Sequence, residues 1–122
     1  LFERGIERTM SYFTANLTRE EDEVREEMRR QDAKFGPQNH PDGTSDSHDA
    51  KAHADLAREW CQDAAATGEV TWQHILCEEA SEAFAEVDPE KLLNELLQVE
   101  AVARQWRLAI RRRLAGQSGD AL

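Results

Sequence analysis

Trp72-Gln-His-Ile-Leu-Cys-Glu-Glu-Ala-Ser-Glu-Ala-Phe-Ala-Glu-Val-Asp-Pro-Glu-Lys-Leu-Leu-Asn-Glu-Leu-Leu-Gln-Val-Glu-Ala-Val102 is the stretch on which the fold of this chain turns. It reads as two helices joined at Asp88-Pro89. Asp88 suits the N-cap, and Pro89 suits the first helical position, where a missing N–H costs nothing. At ~100° per residue, Trp72, Ile75, Leu76, Ala83 and Val87 form one apolar stripe on the first of these helices. Glu79 falls inside that stripe, and Glu82 and Glu86 fall along its edge. On the second helix Leu92, Leu96, Val99, Val102, Ala103, Trp106 and Ile110 form the stripe. Glu95 lies within it and Gln98 at its border.

Carboxylates on a core-facing stripe need a partner, because an unpaired buried charge costs several kcal/mol even after relaxation. No Lys or Arg occurs from Glu59 through Glu90. Three remedies are open: a divalent metal, basic residues from another helix, or partial exposure at a bundle end. Mg²⁺ is a hard cation that takes oxygen ligands and keeps waters and substrate phosphates in its shell. Carboxylates spaced i, i+3 on two facing helices suit it.

The run Glu78-Glu79-x-x-Glu82, followed by Glu95-Leu-Leu-Gln98, resembles the motif of the MazG-like all-α nucleoside triphosphate pyrophosphohydrolases. Their pattern is Glu-Glu-x-x-Glu, a spacer, then Glu-x-x-Asp. The segment Arg30-Gln-Asp-Ala-Lys-Phe-Gly-Pro-Gln-Asn-His-Pro-Asp-Gly43 also looks like one that precedes the catalytic helices in small members of that superfamily. The resemblance covers roughly residues 25–113. It implies Mg²⁺-dependent cleavage between the α- and β-phosphates of a nucleoside triphosphate, with Mn²⁺ as a substitute. By position, Glu79, Glu82 and Glu95 match metal-ligand carboxylates. Gln98 stands where the family pattern has Asp, and a neutral amide binds Mg²⁺ less strongly.

Composition bounds the rest. A chain of 122 residues makes one domain with room for a core. Acids outnumber bases 25 to 15, a formal net charge of −10, which argues against a basic face for DNA or RNA. No apolar run approaches the ~20 residues of a membrane span. No signal peptide is visible, and a cytoplasmic location is the default expectation. Cys61 and Cys77 lie on predicted helices without Cys-x-x-Cys spacing, so both read as reduced thiols.

From the N-terminus, residues 1–17 are expected to form a packing helix with Phe2, Ile6, Met10, Phe13 and Leu17 on one face. Thr18-Arg-Glu-Glu21 fits a capping box, so a second helix is expected to start there and run to about Lys34. Its dense charge reads as a solvated face with pairs such as Glu21 with Arg25 and Glu26 with Arg30. Phe35 to Ser47 is a loop, either substrate-contacting or an ordinary connector. Lys34, Gln38, Asn39 and His40 are the groups in and beside it expected to meet a base, ribose or phosphate. Asp46 or Ser47 is expected to cap a third helix over about His48 to Ala66, ended at Gly68. Its buried face is Ala50, Ala54, Ala57, Trp60, Cys61 and Ala64, with His53 as a core histidine on the same side. Thr71 caps the fourth helix, whose Trp72 is either core or a base-stacking platform. The fifth runs from Pro89 to about Ala115, and a second strip of Leu93, Leu97, Ala101 and Leu108 predicts a homodimer or homotetramer. Its arginines, Arg104 to Arg113, complement the helix macrodipole, with one or two free to meet phosphate. Residues 116–122 read as a flexible tail.

The expectation is therefore an all-α, antiparallel bundle of about five helices, with residues 18–115 as the MazG-like domain. Glu79, Glu82 and Glu95, with Gln98 or a water, are expected to hold one or two Mg²⁺. Glu78 or Glu86 is expected to act as base on a nucleoside triphosphate. The main alternative is a catalytically inactive helical interaction module whose acids are bridged by arginines. A weaker one is an acidic mimic of nucleic acid.

Overall fold

Helices start and stop where local capping chemistry says they should, with one exception. In the computed structural model, which describes residues 2–118 and the side chains of 14–117, the chain forms α1 (Phe2–Phe35), α2 (His48–Ala66), α3 (Trp72–Phe84) and α4 (Pro89–Ser118). Among the described residues there is no strand, and no helix is long and apolar enough to cross a membrane. The Ser47 hydroxyl accepts the Ala50 N–H at 3.2 Å to begin α2. The carboxylate of Asp88 accepts the Lys91 N–H at 3.2 Å to begin α4. Gly68, at φ +75°, ends α2: its N–H donates to Ala65 and that of Glu69 to Ala64. This is the paired closing bond of a left-handed C-terminal turn.

The exception is Thr18, which starts nothing. α1 is one helix of 34 residues, so four helices are found among the described residues where the sequence suggests about five. A capping box needs a break before it, and neither Gly nor Pro occurs between Ile6 and Phe35. Short-range ion pairs carry the helix on, including Arg19 with Glu23 at 3.5 Å and Arg30 with Glu27 at 2.6 Å. Arg25 also pairs with Asp22 at 3.5 Å, and the expected pair of Glu26 with Arg30 is found at 4.0 Å. The face expected on Phe2, Ile6, Met10 and Phe13 lies outside the described side chains. α4 continues to Ser118, past the expected tail boundary, and 119–122 lie outside the described residues.

The chain divides into two compact units, Leu1–His40 with Arg107–Leu122, and Pro41–Trp106. In the first, Leu108 is buried, although the sequence groups it with an outward strip. Glu20 is 0% exposed, which overturns the solvated reading at that position. Arg107 and Arg111 of α4 both donate to Glu20, and both also reach Glu23, Arg111 at 2.6 Å. Burial pushes the Glu20 carboxyl up, but hydrogen bonds from Arg107 and Arg111 and their charges outweigh it and hold it below the usual range. These two arginines are therefore committed within the protein.

In the second unit α2 and α3 form an antiparallel hairpin. Arg58 meets Glu82 and Cys61 meets Glu78, so rising numbers on one helix face falling numbers on the other. Ala54, Ala57, Cys61 and Ala83 are buried, and such small side chains let two helices approach closely. Ser45 at the foot of α2 donates its N–H to the Phe84 carbonyl at the end of α3, 3.1 Å away. Leu92 of α4 completes the buried set. Four side chains depart from expectation, among them Trp60 of α2 and Leu96 of α4, which are 46% and 47% exposed rather than on the buried faces assigned to them. His53 is exposed, at the flank of the α2 face that buries Ala54 and Ala57 rather than within it. Val87 is also exposed, because α3 ends at Phe84 and the stripe cannot extend to it.

Candidate metal centre

Thr71 fixes the start of α3 with a capping box in which His74 takes the role more often given to Glu or Gln. The Thr71 hydroxyl accepts the His74 N–H at 3.3 Å, and the Thr71 N–H donates to His74 Nδ1 at 3.0 Å. Nδ1 therefore acts as the acceptor, a tautomer inferred from the bonding. The His74 ring also lies against Trp60 of α2, with centroids 4.1 Å apart and planes tilted by 52°. Trp72, in the same first turn, is half-buried.

From that fixed start α3 carries its acids one turn apart, since residues i, i+3 and i+4 share a face. Glu79 and Glu82 of α3 meet Glu95 of α4. One carboxylate oxygen from each lies within 4.8 Å of the others, and all three side chains are half-buried. Burial, then the charges of Glu82, Glu78 and Glu95, push Glu79 above the ordinary carboxylate range. Burial, then Glu78 and Glu95, push Glu82 up as well, with Arg58 opposing. Partial desolvation and like charge act in the same direction here.

The other expected residues fall around this trio or away from it. Glu78 is half-buried and accepts the Cys61 thiol proton in a hydrogen bond. Burial, that bond and the charges of Glu78 and Glu79 push the Cys61 thiol up to about 11. Glu86 accepts the Asp88 N–H at 3.0 Å, so its carboxylate helps form the α3–α4 turn. Gln98 is exposed, one turn beyond Glu95. Lys34, Gln38, Asn39 and His40 belong to the first unit. There Lys34 and Gln38 line an open groove with Glu27, Arg30, Gln31 and Phe35, and His40 Nε2 is 3.2 Å from Gln38. Asn39 is exposed.

Three neighbours of the site have partners that the sequence did not assign. Arg58 reaches Glu82 at 3.8 Å while donating to Asp55 at 2.9 Å. Its signal was its place as the last cation before the long acidic stretch. Cys61 beside Glu78 and His74 in the cap carry no local signal of their own.

Compared with known proteins, the chain matches no family model, no curated protein and no solved structure.

Proposed function

We propose that this protein is a divalent-metal-dependent nucleoside triphosphate pyrophosphohydrolase that releases a monophosphate and pyrophosphate. The supporting observation is the meeting of Glu79, Glu82 and Glu95 from two helices, with oxygens within 4.8 Å of one another. Ligands on opposite sides of Mg²⁺ stand about 4.2 Å apart and adjacent ones about 3 Å, so the three oxygens fit one such ion, or Mn²⁺, with small adjustment. The all-oxygen, hard-donor set points to the same metals. When bound, such an ion neutralises charge on the triphosphate and makes a neighbouring water more acidic.

The chain supplies the rest. Glu79, Glu82 and Glu95 hold and orient the ion, and Gln98 offers an amide oxygen one turn on. Glu78 is the favoured proton acceptor, at a carboxylate oxygen, because its charge bears directly on Glu79 and Glu82, whereas Glu86 helps form the α3–α4 turn. Trp72, at the start of α3, is the candidate surface for the base. Leu93 and Leu97 are 71% and 58% exposed on α4, and we assign them to self-association as a dimer or tetramer.

The interaction-module alternative draws on one observation, the Arg58–Glu82 pair, in which a cation from α2 offsets part of the acid charge. Both readings meet one experiment. A panel of ribo- and deoxyribonucleoside triphosphates is incubated with and without Mg²⁺, and products are separated by ion exchange. Monophosphate plus pyrophosphate is expected, and Glu79→Ala is expected to lose more than about 100-fold in rate, since even residues behind metal ligands cost 10–100-fold. Diphosphate plus phosphate overturns the reaction class. No turnover, together with no saturable Mn²⁺ binding, leaves the interaction module.

A further inference from the structure

Arg58 stands at the margin of the α2–α3 seam, between buried Ala57 and buried Cys61, so its backbone position is fixed by packing. Its side chain leaves that seam toward the carboxylates. Nη1 donates to Asp55 at 2.9 Å, which fixes one edge of the guanidinium. Nε faces Glu82 at 3.8 Å, inside ion-pair range but beyond a hydrogen bond. The side chain is 42% exposed, so the remaining N–H groups are reachable from solvent.

The charge balance of the trio gives this arrangement a consequence. Three ionised carboxylates with one divalent ion leave a formal charge of about −1, which repels a polyphosphate. Arg58 reaches this trio through Glu82 and offsets part of that negative charge, to which Glu78 and Asp55 add. Once a divalent ion draws on Glu82, the pull of that carboxylate on the guanidinium weakens, and the long Nε contact is easily given up. A planar guanidinium clamped on one edge matches two phosphate oxygens on the other.

We propose that Arg58 is the phosphate-contacting cation of this site, exchanging Glu82 for phosphate oxygens when a divalent ion takes up the carboxylates. This rests on the pyrophosphohydrolase reading and adds to it the group that receives the pyrophosphate end of the substrate. Arg58 works in two partnerships in turn, so its removal has opposite effects on the two ligands. The metal loses a competitor at Glu82, and the pyrophosphate loses a partner.

The test is calorimetric titration of the full chain, first with Mn²⁺ alone and then with inorganic pyrophosphate at saturating Mn²⁺. Arg58→Met keeps the length of the stem, and Arg58→Lys keeps the charge. The wild type is expected to bind both ligands. Arg58→Met is expected to bind Mn²⁺ at least as tightly as the wild type and pyrophosphate about tenfold or more weakly, an effect that shrinks with added salt. Arg58→Lys is expected to recover part of the loss. Unchanged pyrophosphate affinity in Arg58→Met, with Mn²⁺ binding intact, overturns the assignment of Arg58 alone. Parallel loss of Mn²⁺ and pyrophosphate also overturns it, since it marks a purely structural arginine. A wild type that binds no Mn²⁺ overturns the metal reading itself.

Discussion

Glu79 and Glu82 hold protons more tightly in the folded chain than an ordinary carboxylate does, and the sign of the consequence follows from that. Unfolding releases those protons, so the native state binds more of them, and stability declines as pH rises from the ordinary carboxylate range through the raised values. A divalent ion reverses the penalty by taking the place of the protons. Thermal melts with Mn²⁺ at a hundredfold excess over Kd are expected to show a gain of about 2.7 kcal/mol. With the Mn²⁺ concentration held at the value that is a hundredfold over Kd at pH 8, the gain is expected to be larger at pH 8 than at pH 5, and an equal gain at both would sink the carboxylates as its source. The two cysteines offer a check at the same scale. Cys61 is buried, with its thiol pushed up to about 11, and Cys77 is exposed. Alkylation at pH 8 followed by peptide mass spectrometry is expected to find Cys77 modified and Cys61 protected until the chain is unfolded, because the Cys61 thiol is buried and held protonated.

At the scale of the helices, α1 and the end of α4 are joined through Glu20 and Glu23 on one side and Arg107 and Arg111 on the other. Replacing both arginines by Met leaves a fully buried carboxylate without a partner, and about 3–5 kcal/mol of stability is expected to be lost in denaturant titrations. Adding Glu20→Leu to that pair is expected to recover most of the loss, because an apolar group of similar size needs no counter-charge. The contribution of Glu20 has a direction in pH too. Its carboxyl sits below the usual range, so its stabilisation is present at neutral pH and is lost as pH falls through that lowered value. This joint was only half legible beforehand. Glu20 and Glu23, spaced i, i+3, and Arg107 and Arg111, spaced i, i+4, each mark one helix face. No local rule says that two faces so far apart in sequence meet. Caps were legible at Ser47, Thr71 and Asp88 because their bonds span only three residues. Thr18 misled because the same pattern is compatible with a helix interior.

Across the whole chain the acid excess of −10 is distributed unevenly, and that shaped what could be read in advance. The carboxylate trio was legible because α3 and α4 follow each other directly, so two periodic stripes joined by one turn fix which acids converge. Arg58 was not, since its meeting with Glu82 depends on how α2 packs against α3. The strip on α4 was read as one surface and is not one. Leu108 goes inward while Leu93 and Leu97 stay outside, because a helix as long as α4 serves both compact units. Changing Leu93 and Leu97 together to Glu is expected to shift sedimentation velocity from dimer or tetramer to monomer while the circular dichroism stays helical. A wild type that sediments as a monomer would remove the assignment of that face.

The bond from Ser45 to Phe84 looks like a minor tie between a loop and a helix end, yet it completes an account that most helix ends leave to water. An α-helix leaves its last four carbonyls without partners inside the helix. In α3 the Ala85 N–H serves Ser81 and Glu82 at 3.2 Å, the Glu86 N–H serves Ala83 at 3.1 Å, and Ser45 serves Phe84 at 3.1 Å. All four are supplied, so the final turn of α3 has little reason to fray. Glu82 belongs to that turn. The steadiness of one carboxylate of the candidate metal centre therefore depends on a serine amide that precedes α2, a whole helical hairpin earlier in the chain.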